Sequence, residues 1–301
     1  MVFRNDKNYG RVRISVFVFI ASIVTFVNVF GGYLDSFFNI GKFSGEYRII
    51  SPATLEKTAG LVSVEGVIYN LGNTSPKKHV KLSEVDSKLL TRDKVVGLLG
   101  ITYSELSKMN GKSGSVMVAV NGIVYDLTAS KSWTNGQHKN QHTAGQDLTY
   151  DILKLSPHGI GKIKNMPSYG VLVFKPEELS NFDGKKQKKI YVSVYGIIYD
   201  ATYSKKFRGG EHYGHDMGVD LTKEILSLKG HEQLLTKLYQ IGLLVFDESN
   251  INMFDGKNNK PFVIVKNKVY DISTNAQGIN PGGFFSGEPR NEWLLVGFKY
   301  E

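Results

Sequence analysis

The chain has 301 residues, of which 41% are apolar and 22% charged, and its formal net charge is +9. This length suits one large domain or several small ones, and the composition is ordinary for a globular protein. The absence of cysteine excludes a disulfide framework and thiolate metal sites. The positive charge is compatible with nucleic acid, but the lysines are dispersed and no nucleic-acid motif accompanies them. We therefore predict no nucleic-acid partner and expect an anionic membrane surface or an acidic partner protein.

The N-terminal segment is predicted to be a membrane anchor. Residues 1–13 are cationic, and residues 14–30 form an apolar run that extends to residue 34. About 17 to 25 such residues cross a bilayer as a helix, and a cationic flank favours the cytoplasmic side. We predict a cytoplasmic tail and a transmembrane anchor over residues 1–36, single-pass in the cell membrane, with the bulk of the chain extracytoplasmic. A cleaved signal peptide is the alternative, but no Ala-x-Ala-like site follows the run.

A tandem repeat follows the anchor. Four segments end in Gly-(Val/Ile)-(Ile/Val)-Tyr-(Asp/Asn) or a close variant, around Tyr69, Tyr125, Tyr199 and Tyr270. The copies also end alike, in VVGLLG, YGVLVF, IGLLVF and LVGFKY. Runs rich in Val, Ile and Tyr predict strands, and the glycine-containing turns between them predict hairpins. We predict four modules, numbered 1 to 4, over residues 45–100, 101–174, 175–247 and 248–301.

Module length separates the two middle copies from the outer ones. The repeated tyrosines lie 56, 74 and 71 residues apart, and only 31 residues follow Tyr270. Modules 2 and 3 are thus full length, whereas modules 1 and 4 keep the strands and lack most of the segment between them. We predict that the outer modules are scaffold or contact modules, which could cap a repeat array as terminal repeats commonly do.

Six of the seven histidines fall in the intervening segments of modules 2 and 3. In each module a histidine pair precedes a Gly-x-Asp-Leu-Thr sequence, and a third histidine follows it. The six are His138, His142 and His158 in module 2, and His212, His215 and His231 in module 3. The last two histidines of each triplet are sixteen residues apart in both modules. This repetition indicates two copies of one ligand-holding device rather than ordinary surface or core histidines.

The stretch between the second and third histidines of each module is predicted to be helical. Asp147 and Asp220 occupy the position of an N-cap acceptor, and the Leu and Ile residues after them form an apolar face. A Ser-Pro pair in module 2 and a Lys-Gly pair in module 3 then end the helix. Small helices grouped on a short mixed sheet make each module an α+β domain.

Two imidazoles separated by a short apolar helix suit a flat apolar ligand with a metal at its centre. Haem fits this description, because neutral imidazole ligates iron and apolar side chains bury the macrocycle. Without cysteine, a haem here must be held by coordination and packing alone. Zinc is the competing ligand, held by three histidines per module and an acid such as Asp147 or Asp151. However, no His-Glu-x-x-His motif occurs, and a small ion does not need an apolar wall.

The repeated motifs carry a family resemblance. Module 2 reads NGIVYDLTASKSW, GQHKNQHTAGQDLT, SPHG and YGVLVF in order, and module 3 reads YGIIYDATYSKKF, GEHYGHDMGVDLT, GH and IGLLVF. These motifs resemble the prokaryotic branch of the cytochrome b5-like haem/steroid-binding domain family over about residues 101–247, and modules 1 and 4 resemble it weakly, through strands alone. The resemblance implies b-type haem held by two histidines, and electron transfer rather than substrate turnover.

The resemblance also implies the iron ligands. The histidine after the helix, His158 or His231, matches the second axial ligand of the family. The His-Pro-Gly-Gly sequence that marks the first ligand in eukaryotic members is absent, so the first ligand is either member of each histidine pair. The candidates are His138 or His142 in module 2, and His212 or His215 in module 3. Tyr213 leaves a tyrosine-ligated variant open.

We therefore predict a membrane-anchored, extracytoplasmic electron carrier, not an enzyme, with two haem b groups per chain. It would pass electrons between the membrane and a redox partner protein outside. The truncated outer modules would contact neighbouring subunits and so allow a homo-oligomer or filament. Two alternatives stay open: a membrane-associated module that binds haem, sterol or lipid, and a structural surface protein.

Overall fold

A computed structural model describes residues 48–72, 77–163, 165–228 and 230–301. The predicted anchor over residues 1–36 lies outside the described residues. Within the described ranges, none of the helices is both long and apolar enough to cross a bilayer.

The four modules repeat one plan: a short helix, a two-stranded hairpin and a closing strand. Module 1 contains β1 (Arg48–Ile50), α1 (Pro52–Lys57), β2 (Leu61–Val64), β3 (Val67–Asn70), β4 (His79–Val80) and β5 (Val95–Thr102), with 3-10 turns at Leu82–Glu84, Ser87–Leu89 and Arg92–Lys94. Module 2 contains α2 (Tyr103–Lys108), β6 (Met117–Val120), β7 (Ile123–Asp126), β8 (Gln137–His138), β9 (His142–Thr143), a π-helical turn (Asp151–Leu155), a 3-10 turn (Gly159–Lys162) and β10 (Ser168–Phe174).

The plan continues in the second half of the chain. Module 3 contains α3 (Pro176–Leu179), β11 (Tyr191–Val194), β12 (Ile197–Asp200), a 3-10 turn (Lys205–Gly210), β13 (Glu211–His212), β14 (His215–Asp216), α4 (Thr222–Ser227), α5 (Glu232–Leu235) and β15 (Tyr239–Phe246). Module 4 contains a 3-10 turn (Ile251–Met253), β16 (Phe262–Val265), β17 (Lys268–Asp271), β18 (Gly283–Phe284) and β19 (Leu294–Lys299). The predicted α+β class, small helices on a mixed sheet, is confirmed.

The closing strands join the modules to one another. Each closing strand pairs antiparallel with the second strand of its own hairpin, as β10 does with β7 and β15 with β12. Each also pairs in parallel with the next closing strand, so that β5, β10, β15 and β19 lie side by side. The described strands thereby form a 15-stranded sheet rather than four separate short ones. The sequence repeat predicts the strands but not this fusion.

The row of closing strands closes on itself through β1. This strand pairs in parallel with β5, and its central residue Ile49 also forms a parallel bridge to Tyr300 at the end of β19. The Glu301 amide donates to the Ile49 carbonyl at 3.0 Å, and Arg48 forms a salt bridge with the Glu301 carboxylate. Modules 1 and 4 therefore meet each other within the chain. The proposed contact of these modules with other subunits stays a prediction.

Repeated glycines allow the closing strands to approach closely. A Cβ atom added to Gly170 would lie 2.5 Å from the Leu99 carbonyl oxygen, and one added to Gly242 would lie 2.7 Å from the Leu172 oxygen. Gly97 and Gly297 have the same relation to the strand before them. These glycines are the ones shared by VVGLLG, YGVLVF, IGLLVF and LVGFKY. The repeated glycine is thus required by the ring of strands, since the atom opposite it is backbone.

One continuous apolar core runs through all four modules. It includes Leu99 from β5, Leu172 from β10, Leu244 from β15 and Val296 from β19, all buried. Buried side chains of the hairpins extend this core on both sides of the ring. The modules consequently share a hydrophobic core, and the loss of one would expose the apolar faces of its neighbours.

We expect Gly242→Ala to destabilise the fold by about 1–3 kcal/mol, because the new methyl group forces two strands of the ring apart. The matched control is Gly283→Ala, where an added Cβ meets no atom within 4 Å. Urea unfolding of both variants measures the difference. Equal stabilities for the two variants would show that the glycine of the closing strand is not a packing requirement.

Candidate functional site

Two small hairpins carry the first histidines of the predicted sites. In module 2, β8 and β9 pair so that His138 lies opposite His142, and in module 3, β13 and β14 pair His212 with His215. Both turns have two successive residues with positive φ, Lys139–Asn140 and Tyr213–Gly214. Such turns match the twist of a hairpin and fix its register. The register therefore places the two histidines of each pair directly opposite each other.

The first histidine of each pair is held by a backbone carbonyl. His138 Nδ1 lies 2.8 Å from the Ser132 oxygen, and His212 Nδ1 lies 2.8 Å from the Lys206 oxygen. Because a carbonyl oxygen only accepts, Nδ1 must carry the proton in both rings. The lone pair of the neutral imidazole is then on Nε2, which is the arrangement seen in histidines that ligate metals.

An aromatic ring stacks on each of these histidines. The Trp133 ring lies 5.1 Å from the His138 ring at an interplanar angle of 24°, and the Phe207 ring lies 4.5 Å from the His212 ring at 25°. Trp133 and Phe207 are themselves buried and stand five residues before the histidine in both modules. The carbonyl and the aromatic ring together fix the orientation of the imidazole.

In module 2 the structure places His138 and His158 on one cavity of about 260 Å³. Its apolar lining includes Leu127, Trp133, Ile152, Ile163 and Met166. His142 is not part of the lining, and its ring stacks beside that of His138 at 6.3 Å. The cavity thus combines two imidazoles with an apolar wall, and the third histidine of the module does not line it.

In module 3 the structure brings His212 and His231 together. Their ring centroids are 5.6 Å apart at an angle of 61°. Tyr213 packs against both, at 4.6 Å from the His212 ring and 5.3 Å from the His231 ring, and is itself 68% exposed. His215 is exposed on the other side of its hairpin turn. Tyr213 therefore contacts both imidazoles.

His212 has a buried nitrogen that nothing satisfies. The residue is 5% exposed, and its Nε2 atom is buried with no hydrogen-bond partner among the described residues. An unsatisfied buried acceptor costs roughly 1–3 kcal/mol, and such an atom in a folded protein calls for an explanation. A ligand that accepts the Nε2 lone pair would remove this cost.

The histidines of each site suit a cofactor whose metal is ligated by two imidazoles. A bare metal ion would need additional protein ligands. In the described part of the chain no cluster of three or more His, Asp or Glu side chains is placed to hold a metal ion. The zinc alternative requires three histidines and an acid per module, and such a set is not assembled among the described residues. An axial pair of imidazoles is the set by which a b-type haem is held.

The predicted helices after the histidine pairs are shorter than the sequence pattern indicates. In module 2 the segment forms the π-helical turn Asp151–Leu155, and in module 3 it forms α4. Asp147 and Asp220 are therefore not N-caps, because the helices begin later. Instead each carboxylate accepts the hydroxyl of the threonine two residues on, at 2.5 Å from Thr149 and 2.6 Å from Thr222.

These Asp-x-Thr sequences tie the histidine segment to the sheet. Thr149 accepts the amide of Asn121 at 2.7 Å, and Thr222 accepts the amide of Tyr195 at 2.8 Å. Both acceptors thus bind the first turn residue of the module's hairpin, so that the end of the hairpin and the start of the helix are locked together. This anchor fixes the base of the segment that carries the third histidine.

Burial raises the pKa of both aspartates. The pKa of Asp147 rises to about 6 and that of Asp220 to about 7, because each carboxyl is removed from water, and a nearby lysine only partly offsets this. That lysine comes from the following module: Lys189 donates to the Asp147 carbonyl at 2.9 Å, and Lys260 donates to the Asp220 carbonyl at 3.1 Å. The contact repeats at two successive module boundaries.

Comparison with known proteins identifies two segments of the chain. The model of the family described as "Cytochrome b5-like Heme/Steroid binding domain" matches residues 102–173 and residues 175–245. These segments coincide with the two modules that contain the histidine triplets. A search among curated proteins found no match.

Two solved structures are similar to one module each. A cytochrome b5 domain protein from Hadesarchaea YNP_N21 is 45% identical, with 25% of this chain and 99% of that chain covered and a TM-score of 0.24. A cytochrome b5 domain protein from Methanococcoides burtonii is 39% identical, with 24% and 95% covered and a TM-score of 0.23.

We expect Asp220→Asn to stabilise the protein increasingly as pH rises. Between about pH 4 and pH 7 the unfolded chain has lost the Asp220 proton while the folded protein keeps it, so stability falls with rising pH in this window. The variant has no carboxyl to titrate, so it avoids this loss in the free energy of unfolding, which amounts to up to about 4 kcal/mol at pH 8. Urea unfolding at intervals from pH 4.5 to pH 8 measures it.

The control for this experiment is Asp93→Asn, which removes the same charge from an exposed position. The difference between the two pH profiles isolates the contribution of burial. A stability difference between Asp220→Asn and the parent protein that stays constant across this range would contradict the assignment.

Proposed function

Because the chain belongs to the cytochrome b5-like haem/steroid-binding domain family, we propose that modules 2 and 3 each bind one non-covalent haem b and that the protein carries electrons. The observation that supports this most directly is the first histidine of each module. Its Nδ1 is bound to a backbone carbonyl at 2.8 Å, so Nε2 is free to ligate iron. The buried and unpartnered Nε2 of His212 supports the same assignment.

The proposed ligand pairs are His138 with His158 and His212 with His231. The former pair lines one cavity, and the rings of the latter are 5.6 Å apart. His142 and His215, the other candidates for the first ligand, lie outside these pairs. In module 3 a macrocycle can enter only if the exposed Tyr213 ring moves away from both imidazoles.

Each part of the site has a chemical role that suits electron transfer. A bound haem would supply a one-electron couple, and ligation by two imidazoles would leave no coordination position for a substrate. The carbonyls of Ser132 and Lys206 hold the imidazole tautomer and raise the basicity of Nε2. Trp133 and Phe207 keep the imidazoles in place and exclude water. A fixed ligand geometry favours electron transfer because little must move when the charge on the iron changes.

The cellular setting forms a second part of the proposal. The cationic residues 1–13 and the apolar run after them support an anchor in the cell membrane with the modules outside. The protein would then carry electrons between the membrane and a redox partner protein. The net charge of +9 suits an acidic partner, because opposite charges steer association.

The test is a reduced-minus-oxidised absorption spectrum with a pyridine haemochrome count. We expect two b-type haems per chain, one of which is lost in His138→Ala and the other in His212→Ala. His158→Ala and His231→Ala should each remove one as well. The expected loss is complete rather than partial, because non-covalent haem depends on its ligands for retention.

The matched controls are His142→Ala and His215→Ala, which change the other histidine of each hairpin. Both variants should keep two haems. A protein that takes up no haem, even when haem is added, would contradict the proposal and favour a lipid-binding or structural role. Loss of haem in the controls with retention in His138→Ala or His212→Ala would reverse the ligand assignment.

A further inference from the structure

A second cavity lies between modules 3 and 4 and is separate from the candidate haem site. It has a volume of about 420 Å³, within the range of small-molecule pockets. Its wall is largely apolar, and neither His212 nor His231 lines it. The apolar lining consists of Pro176, Leu179, Leu221, Leu244, Phe246, Phe254 and Phe262.

Three aromatic rings form one side of this cavity. Phe246 and Phe254 meet edge-on at 5.3 Å and 82°, and Phe254 stacks on Phe262 at 4.7 Å and 2°. The preceding boundary, between modules 2 and 3, repeats this cluster. There Phe174 meets Phe182 at 5.8 Å and 87°, and Phe182 stacks on Tyr191 at 4.4 Å and 18°. The two boundaries are therefore built alike.

A fourth ring is present at the boundary between modules 2 and 3. Tyr103 stacks on Phe174 at 5.5 Å and 23° and meets Phe182 edge-on at 4.8 Å and 78°. Burial raises the pKa of Tyr103 to about 12, and the Asp147 carboxylate adds to the rise. The ring of Tyr103 thus packs against Phe174 and Phe182, and its hydroxyl interacts electrostatically with the buried Asp147 carboxylate.

Pro176 occupies the position of Tyr103 in module 3. Tyr103 is the first residue of α2 and Pro176 the first residue of α3, and each helix then places a buried leucine three residues on, Leu106 or Leu179. A proline ring cannot reach the aromatic cluster as a tyrosine does. The cavity between modules 3 and 4 consequently corresponds to the position that the Tyr103 ring fills between modules 2 and 3.

Both boundaries also have a buried aspartate near this position. Asp220 is one of the residues around the cavity, as its counterpart Asp147 lies near Tyr103. Lys260 stands beside it, with Nζ 3.9 Å from the Asp220 carboxylate and 2.8 Å from that of Glu224. A hydroxyl group entering the cavity would thus meet a buried carboxyl as hydrogen-bond acceptor.

The cavity has an entrance from solvent. The exposed turn residues Gly214, His215 and Asp216 lie on its rim, together with exposed Asn259. Val219, which is 42% exposed, extends the apolar lining to the mouth of the cavity.

We propose that the cavity between modules 3 and 4 binds a small molecule that carries a phenolic or hydroquinone ring. The ring packs against Phe246 and Phe254, as Tyr103 packs against Phe174 and Phe182, and the hydroxyl hydrogen-bonds to the Asp220 carboxyl. Aromatic pairs in these geometries are favourable beyond their buried area, which gives the site a preference for a flat ring. The proposal is independent of the haem assignment.

The experiment uses the full-length protein in detergent and 4-fluorophenol as the probe, followed by fluorine NMR. The parent protein should bind one equivalent. Pro176→Tyr supplies the missing ring from within the chain and should weaken binding by about tenfold or more. Tyr103→Ala should open the matching place at the preceding boundary and add a second equivalent. Fluorobenzene, which lacks the hydroxyl, should bind more weakly than 4-fluorophenol.

Phe254→Leu provides an independent variant should Pro176→Tyr fail to fold, because it keeps the wall apolar and removes an aromatic face. It should weaken binding of the probe. Undiminished binding in a folded Pro176→Tyr protein, equal affinity for fluorobenzene, or no binding by the parent protein would overturn the proposal. The haem content of each variant is measured in parallel, so a failure here is distinct from a failure of haem binding.

Discussion

The parallel pairing of the module-ending strands is the constraint on which the rest of the structure depends. β5, β10, β15 and β19 lie side by side, and β1 closes the row by pairing with β5 and meeting the end of β19. Closure abolishes the exposed edge that such a row would otherwise present. It also accounts for modules 1 and 4, which keep their strands without a histidine site, since the ring needs them. Modules 1 and 4 thus lack the histidine segment and keep the strands that close the ring.

The residues that hold the ring of closing strands together are different from those of the histidine segments. The glycine of each closing strand sits against a carbonyl of the strand before it, so this part of each module tolerates little change. The histidine segments, in contrast, leave the sheet after the hairpin and return to it at the closing strand. Segments of this kind can lengthen, shorten or change ligand without disturbing the core. The same reasoning applies to the module boundaries, where Pro176 in place of Tyr103 leaves the core intact and opens a cavity.

Much of this organisation is visible in the sequence. The repeated tyrosine and glycine motifs predict the hairpins and closing strands, because alternating apolar runs and turn residues are local signals. Closure of the ring is not visible, since it depends on Ile49 and Tyr300, which lie at opposite ends of the described chain. The helices were predicted too long, because the Asp-x-Thr sequence resembles a cap yet binds the hairpin turn instead.

The choice between the histidines of each pair has a signal in the sequence outside the repeated histidine motif. Trp133 and Phe207 each precede by five residues the histidine whose Nδ1 binds a backbone carbonyl, and no such aromatic residue stands in this relation to His142 or His215. The carbonyl partners on Ser132 and Lys206 carry no sequence signal, since any residue has a carbonyl. Which imidazole binds a backbone carbonyl through Nδ1 therefore depends on the conformation of the folded loop.

The most direct test of the account is the electron paramagnetic resonance spectrum of the oxidised, haem-loaded protein. Two imidazole ligands on each iron predict low-spin ferric signals alone, one of which disappears in His138→Ala and the other in His212→Ala. A high-spin signal in the parent protein, which denotes an iron with a weak or missing sixth ligand, would contradict the claim that each middle module holds its iron between two histidines.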